Sequence, residues 1–77
     1  MLLYSKVNCP QCVQAKALLD SCNIEYSIVL VDQDVSAMEF LRREGHRSVP
    51  QVYKDGVLFV QNGYQGLVKL HKAGELK

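Results

Sequence analysis

The tetrapeptide Cys9-Pro10-Gln11-Cys12 follows a short apolar run, residues 2–4, and opens a stretch, residues 13–22, whose pattern predicts a helix. The two thiols therefore lie at the turn between a predicted strand and a predicted helix. The exposed N–H groups of a helix start favour a nearby negative charge. Such a setting can lower the pKa of a cysteine thiol from about 8.5 to roughly 3.5–7.5. We expect Cys9 to act as a nucleophile at neutral pH and Cys12 to close a disulfide onto it.

The predicted helix carries one apolar stripe at positions i, i+3, i+4 and i+7. These positions are Ala15, Leu18, Leu19 and Cys22. Cys12 lies three residues before Ala15 and so falls on the same inward face, whereas Cys9 precedes the helix. The spacing predicts an exposed Cys9 and a shielded Cys12, an asymmetry that suits an attacking thiol and a resolving thiol.

Length and composition restrict the class of protein. Seventy-seven residues, 48% of them hydrophobic, fit a single domain over residues 1–77 with one core. A formal net charge of +1 gives no support for a nucleic-acid or membrane partner. The longest aliphatic run, residues 28–31, is far too short to cross a bilayer.

The number of cysteines and the first residues of the chain bear on its location. The start shows no basic region followed by a long apolar segment, so we expect no signal peptide. Three cysteines are an odd and sparse set, whereas a disulfide-stapled secreted domain usually has an even, denser one. We therefore expect a cytoplasmic protein with one reactive pair. We also expect a monomer.

The rest of the chain alternates between strand-like and helix-like patterns. Strands are predicted for residues 2–5, 24–31, 51–54 and 57–60, and helices for residues 13–22, 36–43 and 64–73. Ser36-Ala37-Met38-Glu39 has the form of a capping box at the start of the second helix. Asp55-Gly56, between two β-rich runs, predicts a hairpin. The order β-α-β-α-β-β-α predicts an α/β fold with a parallel first pair and an antiparallel last pair of strands.

A Cys-x-x-Cys that opens the first helix of such a unit is typical of thioredoxin-like redox proteins. The chain resembles the glutaredoxins and the NrdH-redoxins over nearly its whole length. The matching segments are Tyr4-Ser5-Lys6, Cys9-Pro10-Gln11-Cys12, Ala15-Lys16-Ala17-Leu18-Leu19, Ser48-Val49-Pro50 and Gly63-Tyr64. The resemblance implies a thiol-disulfide oxidoreductase with a thioredoxin fold, in which a four-stranded mixed sheet is flanked by helices.

The same resemblance implies roles for residues outside the cysteine pair. In the family the proline equivalent to Pro50 is cis and faces the redox pair, so the Val49–Pro50 bond is expected to be cis. The Val49 backbone would then bind an extended substrate such as glutathione. Lys6 matches a position that contacts the glutathione carboxylate in glutaredoxins. The remaining residues of the expected substrate-binding or glutathione-binding set are Gln11, Ser48, Gly63, Tyr64 and Gln65.

Two features separate the subfamilies. Glutaredoxins typically carry Cys-Pro-Tyr-Cys and, before the last helix, a Gly-Gly-x-Asp-Asp type segment that holds the charged ends of glutathione. Here Pro10 matches the glutaredoxins, whereas Gln11 matches the Cys-Val-Gln-Cys of NrdH-redoxins. The segment 62–66 has no acidic pair and is similar to the Ser-Gly-Phe segment of NrdH-redoxins. Without these carboxylates the glutathione ammonium loses a charge-assisted hydrogen bond, which costs roughly 1.5–3 kcal/mol, about ten- to a hundredfold in affinity.

The function expected from these features is electron transport in cell redox homeostasis. An NrdH-redoxin-like carrier would reduce intracellular protein disulfides through Cys9 and Cys12, with ribonucleotide reductase as the client that the resemblance implies. Thioredoxin reductase would be its reductant, and no tightly bound cofactor or metal ligand is expected. The first alternative is a glutathione-dependent glutaredoxin. The second is an iron–sulfur module held by Cys9 of two chains with glutathione, against which Pro10 and Cys12 argue.

The other polar residues carry plainer expectations. Cys22 is expected to fill the core, with a third redox thiol as the alternative. His46 is expected to be a solvated loop residue, and Arg47 either solvated or in contact with a carboxylate near the cleft. Tyr64 lies either beside the redox pair or against the sheet. Solvated charges are expected at Asp32, Asp34, Arg42 and Arg43, and a solvated helix-face position at His71.

Overall fold

The computed structural model describes residues 1–76; Lys77, the last residue of the predicted single domain, lies outside the described residues. The elements in chain order are β1 (Leu2–Ser5), α1 (Pro10–Ser21), β2 (Ser27–Leu30), α2 (Val35–Arg43), β3 (Gln51–Lys54), β4 (Val57–Leu58) and α3 (Gly63–Lys72). The predicted order β-α-β-α-β-β-α is confirmed. None of the helices within residues 1–76 is both long enough and apolar enough to span a membrane.

The four strands form one mixed sheet in the order β2-β1-β3-β4. β1 pairs with β2 in parallel and with β3 in the antiparallel sense, and β3 and β4 form the antiparallel hairpin. Leu3 lies opposite Ile28 on one side and Val52 on the other, so it occupies the middle of the sheet. The predicted parallel and antiparallel pairs are both confirmed.

The apolar residues form two clusters, because neighbouring side chains of a strand point to opposite faces. The first contains Leu3 and Val52 and includes buried residues of α1 and α3, such as Leu19 and Leu67. The second contains Tyr53 and the α2 residues Ala37 and Leu41. The sheet therefore separates α1 and α3 from α2.

The first helix begins at Pro10, three residues before the predicted start at Val13. Cys9 is its N-cap, and proline suits the first helical position because the N–H that it lacks would have no helical partner. The helix ends at Ser21, and Asn23 just beyond it has a left-handed φ of 58°. The expectation that Cys9 precedes the helix is confirmed.

The second strand covers four residues instead of the eight predicted over 24–31. Its length is limited by β1, since each of the four residues of β1 pairs with one residue of β2. Tyr26 lies outside the strand, and its hydroxyl donates to Asp20 Oδ1 at 2.9 Å. The strand-like pattern of residues 24–31 therefore extends beyond the four residues that have a partner in β1.

The predicted capping box at residues 36–39 is wrong. The N-cap of α2 is Asp34, whose Oδ1 accepts the Ala37 N–H at 3.1 Å. Aspartate is as good an N-cap as serine, and here Asp34 accepts the hydrogen bond from the third N–H group of the helix. The predicted end is confirmed, with Arg42 and Arg43 in the last turn and Gly45 beyond it at a φ of 84°.

The hairpin turn is confirmed, but its second strand is shorter than predicted. Asp55 and Gly56 both have positive φ values, 53° and 80°, as the favoured two-residue hairpin turn requires. β4 has only two residues, although the Phe59 N–H still donates to the Val52 carbonyl at 2.8 Å. Phe59 and Val60 then leave the sheet edge and pack against the first cluster.

Candidate redox site

Cys9 and Cys12 are joined by a disulfide at the N-terminus of α1, with their Cα atoms 5.2 Å apart. Cys9 has an extended backbone, and its Sγ accepts the Cys12 N–H at 3.2 Å. Its carbonyl accepts the Val13 N–H at 3.1 Å. The sulfur thus occupies the place of a capping oxygen, where a negative charge is stabilised by the helix start. A thiolate at Cys9 would be stabilised by the same N–H after reduction.

The prediction of an exposed Cys9 is wrong for this oxidised form. Cys9 is 7% exposed and Cys12 2% exposed. Cys9 is covered because its sulfur is bonded to the more deeply buried Cys12 and lies 3.9 Å from the Val49 carbonyl oxygen. Cys12 is shielded as predicted.

The segment 48–50 lies against the disulfide. The Val49–Pro50 peptide bond is cis, as expected from the resemblance. The side chain of Gln51 is buried, and its Nε2 donates to the Ser48 carbonyl at 3.0 Å, which holds the segment in place. Gln51 was missed by the sequence reasoning, although a glutamine directly before Val52 and Tyr53 at the start of a strand was a usable signal. Val49 is half-buried and Ser48 is exposed.

Three grooves are lined by residues of the expected site. The proline groove, of about 660 Å³, is lined by six residues of the expected binding set, namely Gln11, Ser48, Val49, Pro50, Gly63 and Gln65. The arginine groove, of about 370 Å³, has Lys6, Arg42 and Arg47 among its lining residues. The cysteine groove, of about 490 Å³, is lined by both cysteines, Lys6 and Lys16. Ser48 and Val49 line the first two grooves and Lys6 the last two, so the three are contiguous.

Tyr64 is the expected site residue that does not line these grooves. It is half-buried and packs against the first cluster, which supports the packing alternative. Gly63 does line the proline groove, but it also has a packing role. A Cβ at Gly63 would collide with the Pro50 carbonyl oxygen, and its φ is +52°. Glycine at this position lets the start of α3 approach the proline segment closely.

His46 is not a solvated loop residue, because it belongs to a hydrogen-bonded network. Its Nε2 lies 2.8 Å from the Tyr53 hydroxyl, which donates to Glu44 Oε1 at 3.1 Å. Since the single hydroxyl proton goes to Glu44, the His46 Nε2–H must donate to Tyr53. Burial, and then the neighbouring Glu44 carboxylate, raise the pKa of Tyr53 to about 12. The network holds the segment that leads to Val49.

Replacing Tyr53 with phenylalanine is expected to change the pH dependence of stability. Tyr53 has a pKa of about 12 in the folded protein against 10.0 ordinarily, so between these values the unfolded chain releases a proton that the folded protein keeps. The stabilisation from the hydroxyl is therefore complete below pH 10 and lost as the pH rises toward 12. In urea denaturation, the stability difference between wild type and Tyr53→Phe should shrink over this range. A difference independent of pH would contradict the raised pKa of Tyr53.

The third cysteine lies apart from the pair. Cys22 is half-buried against the first cluster, in agreement with a packing role, and its Sγ is 3.6 Å from His71 Nδ1. Within residues 1–76, no group of three or more His, Cys, Asp or Glu residues is arranged to hold a metal ion.

A four-stranded mixed sheet flanked by three helices, with a disulfide at the start of α1, defines a thioredoxin-like thiol-disulfide oxidoreductase. Residues 1–59 match the glutaredoxin family model. The chain is 33% identical to glutaredoxin 1 of Rickettsia prowazekii over 79 aligned positions, which cover 99% of this chain and 81% of the relative. The chain therefore belongs to the glutaredoxin family, and Cys9 and Cys12 are its Cys-x-x-Cys pair.

Solved structures agree with this assignment. The buckwheat glutaredoxin–glutathione complex has a TM-score of 0.79 at 28% identity, covering 97% of this chain and 70% of that one. The NrdH-redoxin from Escherichia coli has a TM-score of 0.75 at 24% identity, covering 91% and 92%. At that identity the second likeness establishes the fold alone.

Proposed function

We propose that this glutaredoxin-family oxidoreductase is an NrdH-redoxin-like electron carrier that reduces protein disulfides and is itself reduced by thioredoxin reductase. Ribonucleotide reductase is the client that the resemblance favours. The cytoplasmic location, the monomeric state and the single-domain extent over residues 1–77 stay predictions.

One observation carries the choice of reductant. Among the described residues that line the proline groove, none has a carboxylate. The positions at the start of α3 that line it are Asn62, Gly63 and Gln65, where glutaredoxins typically carry an acidic pair. The ammonium of glutathione would lose a charge-assisted hydrogen bond there. A protein reductant needs no such partner.

The mechanism follows from the position of the pair. In the reduced protein the Cys9 thiolate attacks one sulfur of a client disulfide, which forms a mixed disulfide and releases the other client sulfur as a thiolate that takes up a proton. Cys12 then loses its proton and attacks the Cys9 sulfur, so the internal disulfide forms and the second client thiol leaves. Two electrons pass to the client. The reverse exchange with a reductase dithiol restores the pair.

The second candidate is a glutathione-dependent glutaredoxin, and a different observation favours it. Lys6 and Val49 line the same arginine groove, as a site that takes the carboxylate and backbone of glutathione would require. A related glutaredoxin from buckwheat was solved as a complex with glutathione. The two candidates differ in the expected source of electrons.

The test measures the reduction rate of the oxidised protein in two parallel systems. One contains NADPH and thioredoxin reductase, and the other NADPH, glutathione reductase and glutathione. Fast reduction by the first system alone is expected. Fast reduction by glutathione alone would overturn the proposal in favour of the second candidate, and no reduction by either would contradict both.

Restoring a carboxylate at the groove is expected to raise the glutathione-dependent rate. Gln65 is exposed, lines the proline groove and lies in the first turn of α3, so Gln65→Glu changes the charge with almost no change in shape. A charge-assisted hydrogen bond to the glutathione ammonium predicts an increase in kcat/KM for glutathione of about tenfold or more. Gln33→Glu, an exposed loop position outside the grooves, is the matched control. Equal rates in both variants would contradict the role given to the missing acidic pair.

A further inference from the structure

We propose that the arginine groove is a docking site for a segment of the client protein that carries acidic and apolar residues next to the disulfide to be reduced. This inference deepens the proposed function and rests on it. It assigns a partner chemistry to Arg42 and Arg47, for which the sequence alone predicts solvated charges or, at Arg47, contact with a carboxylate near the cleft.

The groove combines two kinds of surface. Apolar side chains of Met38, Leu41 and Val49 line it together with the cations Lys6, Arg42 and Arg47. None of its described lining residues is acidic. A segment with an apolar side chain and neighbouring carboxylates would match both, because the first can be buried while the second pair with the cations.

The distribution of charge supports an acidic partner. The chain has nine Lys and Arg residues against eight Asp and Glu residues, so it is nearly neutral as a whole. Four of those cations, Lys6, Lys16, Arg42 and Arg47, line the three grooves. Within the described part of the chain, no acidic residue lines any of these grooves. A surface that carries only positive charges attracts acidic partners and raises their association rate.

The carboxylate next to the groove in the chain is already in use. Asp32 follows Val31, which lines the groove, and Asp32 Oδ2 accepts the Val7 N–H at 3.3 Å. That contact places the Asp32 carboxylate beside Val7, the neighbour of Lys6 in the chain. Asp32 is not among the residues that line the arginine groove.

Val49 links the arginine groove to the reacting sulfur. Val49 lines the groove, and the Val49 carbonyl oxygen lies 3.9 Å from Cys9 Sγ. A client chain whose cysteine is attacked by Cys9 can therefore place the residues beside that cysteine in the groove. Glutathione is smaller than a client segment, so it can contact only some of the three cations and part of the apolar lining.

The test uses peptides with one intramolecular disulfide and flanks that are acidic, neutral or basic, each with the same leucine beside the cysteine. In a single turnover, the pre-reduced protein is expected to reduce the acidic peptide with a second-order rate constant about tenfold above that of the basic one at low salt. The preference should weaken as ionic strength rises from about 0.05 M to 0.5 M, because exposed charges are screened over shorter distances.

Two neighbouring arginines provide the control. Arg42 lines the groove, whereas Arg43 follows it in the same last turn of α2 and does not. Arg42→Glu is expected to lower the single-turnover rate constant for the acidic peptide about fivefold to tenfold, with Arg42→Gln in between, while Arg43→Glu leaves it nearly unchanged. The neutral peptide should be reduced equally by all variants, which also verifies that they are folded and active.

The outcomes separate the two proposals. The docking site would be overturned if Arg42→Glu and Arg43→Glu lowered the rate with the acidic peptide equally, or if the rate did not depend on the flanking charge. In either case, reduction of the neutral peptide by the wild type would still support the proposed function. Arg42→Glu could also lower the rate of reaction with glutathione as much as the rate with the acidic peptide. That result would assign the groove to small anions and overturn the docking site. Failure of the wild type to reduce any peptide would overturn the proposed function and this inference together.

Discussion

Cys9→Ser is expected to abolish turnover of protein disulfides, whereas Cys12→Ser should stop the reaction after its first step. Cys9 supplies the attacking sulfur at the helix start, where the Cys12 N–H lies 3.2 Å from it. Serine at position 12 keeps this backbone donor but has no thiol to release the bound client. A covalent complex with the client should therefore accumulate.

The trapped complex can be detected by mass spectrometry of the intact protein and should disappear when a small dithiol is added. Cys22→Ser is the matched control, because Cys22 is at the far end of α1 and packs against the core. It should keep the activity of the wild type and form no complex. Full turnover by Cys12→Ser on protein disulfides would contradict the two-cysteine mechanism.

Gly66→Ala is expected to destabilise the protein strongly, although alanine normally stabilises a helix relative to glycine by roughly 1 kcal/mol. Gly66 lies inside α3, and a Cβ there would collide with the Gln61 carbonyl oxygen and with Val60 Cγ2. The backbone oxygen cannot move away as a flexible side chain could. Overpacking of this kind costs up to about 3 kcal/mol, a large part of the total stability of a small domain.

The measurement is urea denaturation of the oxidised protein, with the midpoint and the slope followed separately. A loss of about 3 kcal/mol would lower the melting temperature of a domain of this size by roughly 12–24 °C. Gln65→Ala, at an exposed neighbouring position of the same helix, is the control and should change stability little. An increase in stability for Gly66→Ala would contradict the close approach of α3 to residues 60 and 61.

Most of the fold could be predicted from local signals. The order of strands and helices follows from periodicity, and the hairpin turn from Asp55-Gly56, because each signal lies within a few neighbouring residues. The redox pair was equally visible, since the strand-to-helix turn and the two thiols are contained in one short segment. The cis bond at Val49–Pro50 followed from the family resemblance and is confirmed.

Two element boundaries differ from the local pattern, one because of a distant partner strand and one because of a neighbouring side chain. β2 stops where β1 stops, and the extended pattern before it has no strand to pair with. The start of α2 was decided by which side chain reaches the Ala37 N–H, and Asp34 does so ahead of the predicted capping box. The length of β2 is not encoded in its own residues, whereas the Asp34 cap is a local contact, three residues before Ala37.

The candidate site was predicted in its chemistry but not in its surroundings. Part of the cover over Cys9 comes from the Val49 carbonyl, forty residues along the chain. The network of Glu44, Tyr53 and His46 joins a strand to the loop before it, and the arginine groove joins Lys6 to the end of α2. Sequence periodicity reports which face of an element is apolar, whereas these contacts arise only when the sheet brings distant segments together. Local sequence therefore specifies the reacting thiols, and long-range packing specifies what can approach them.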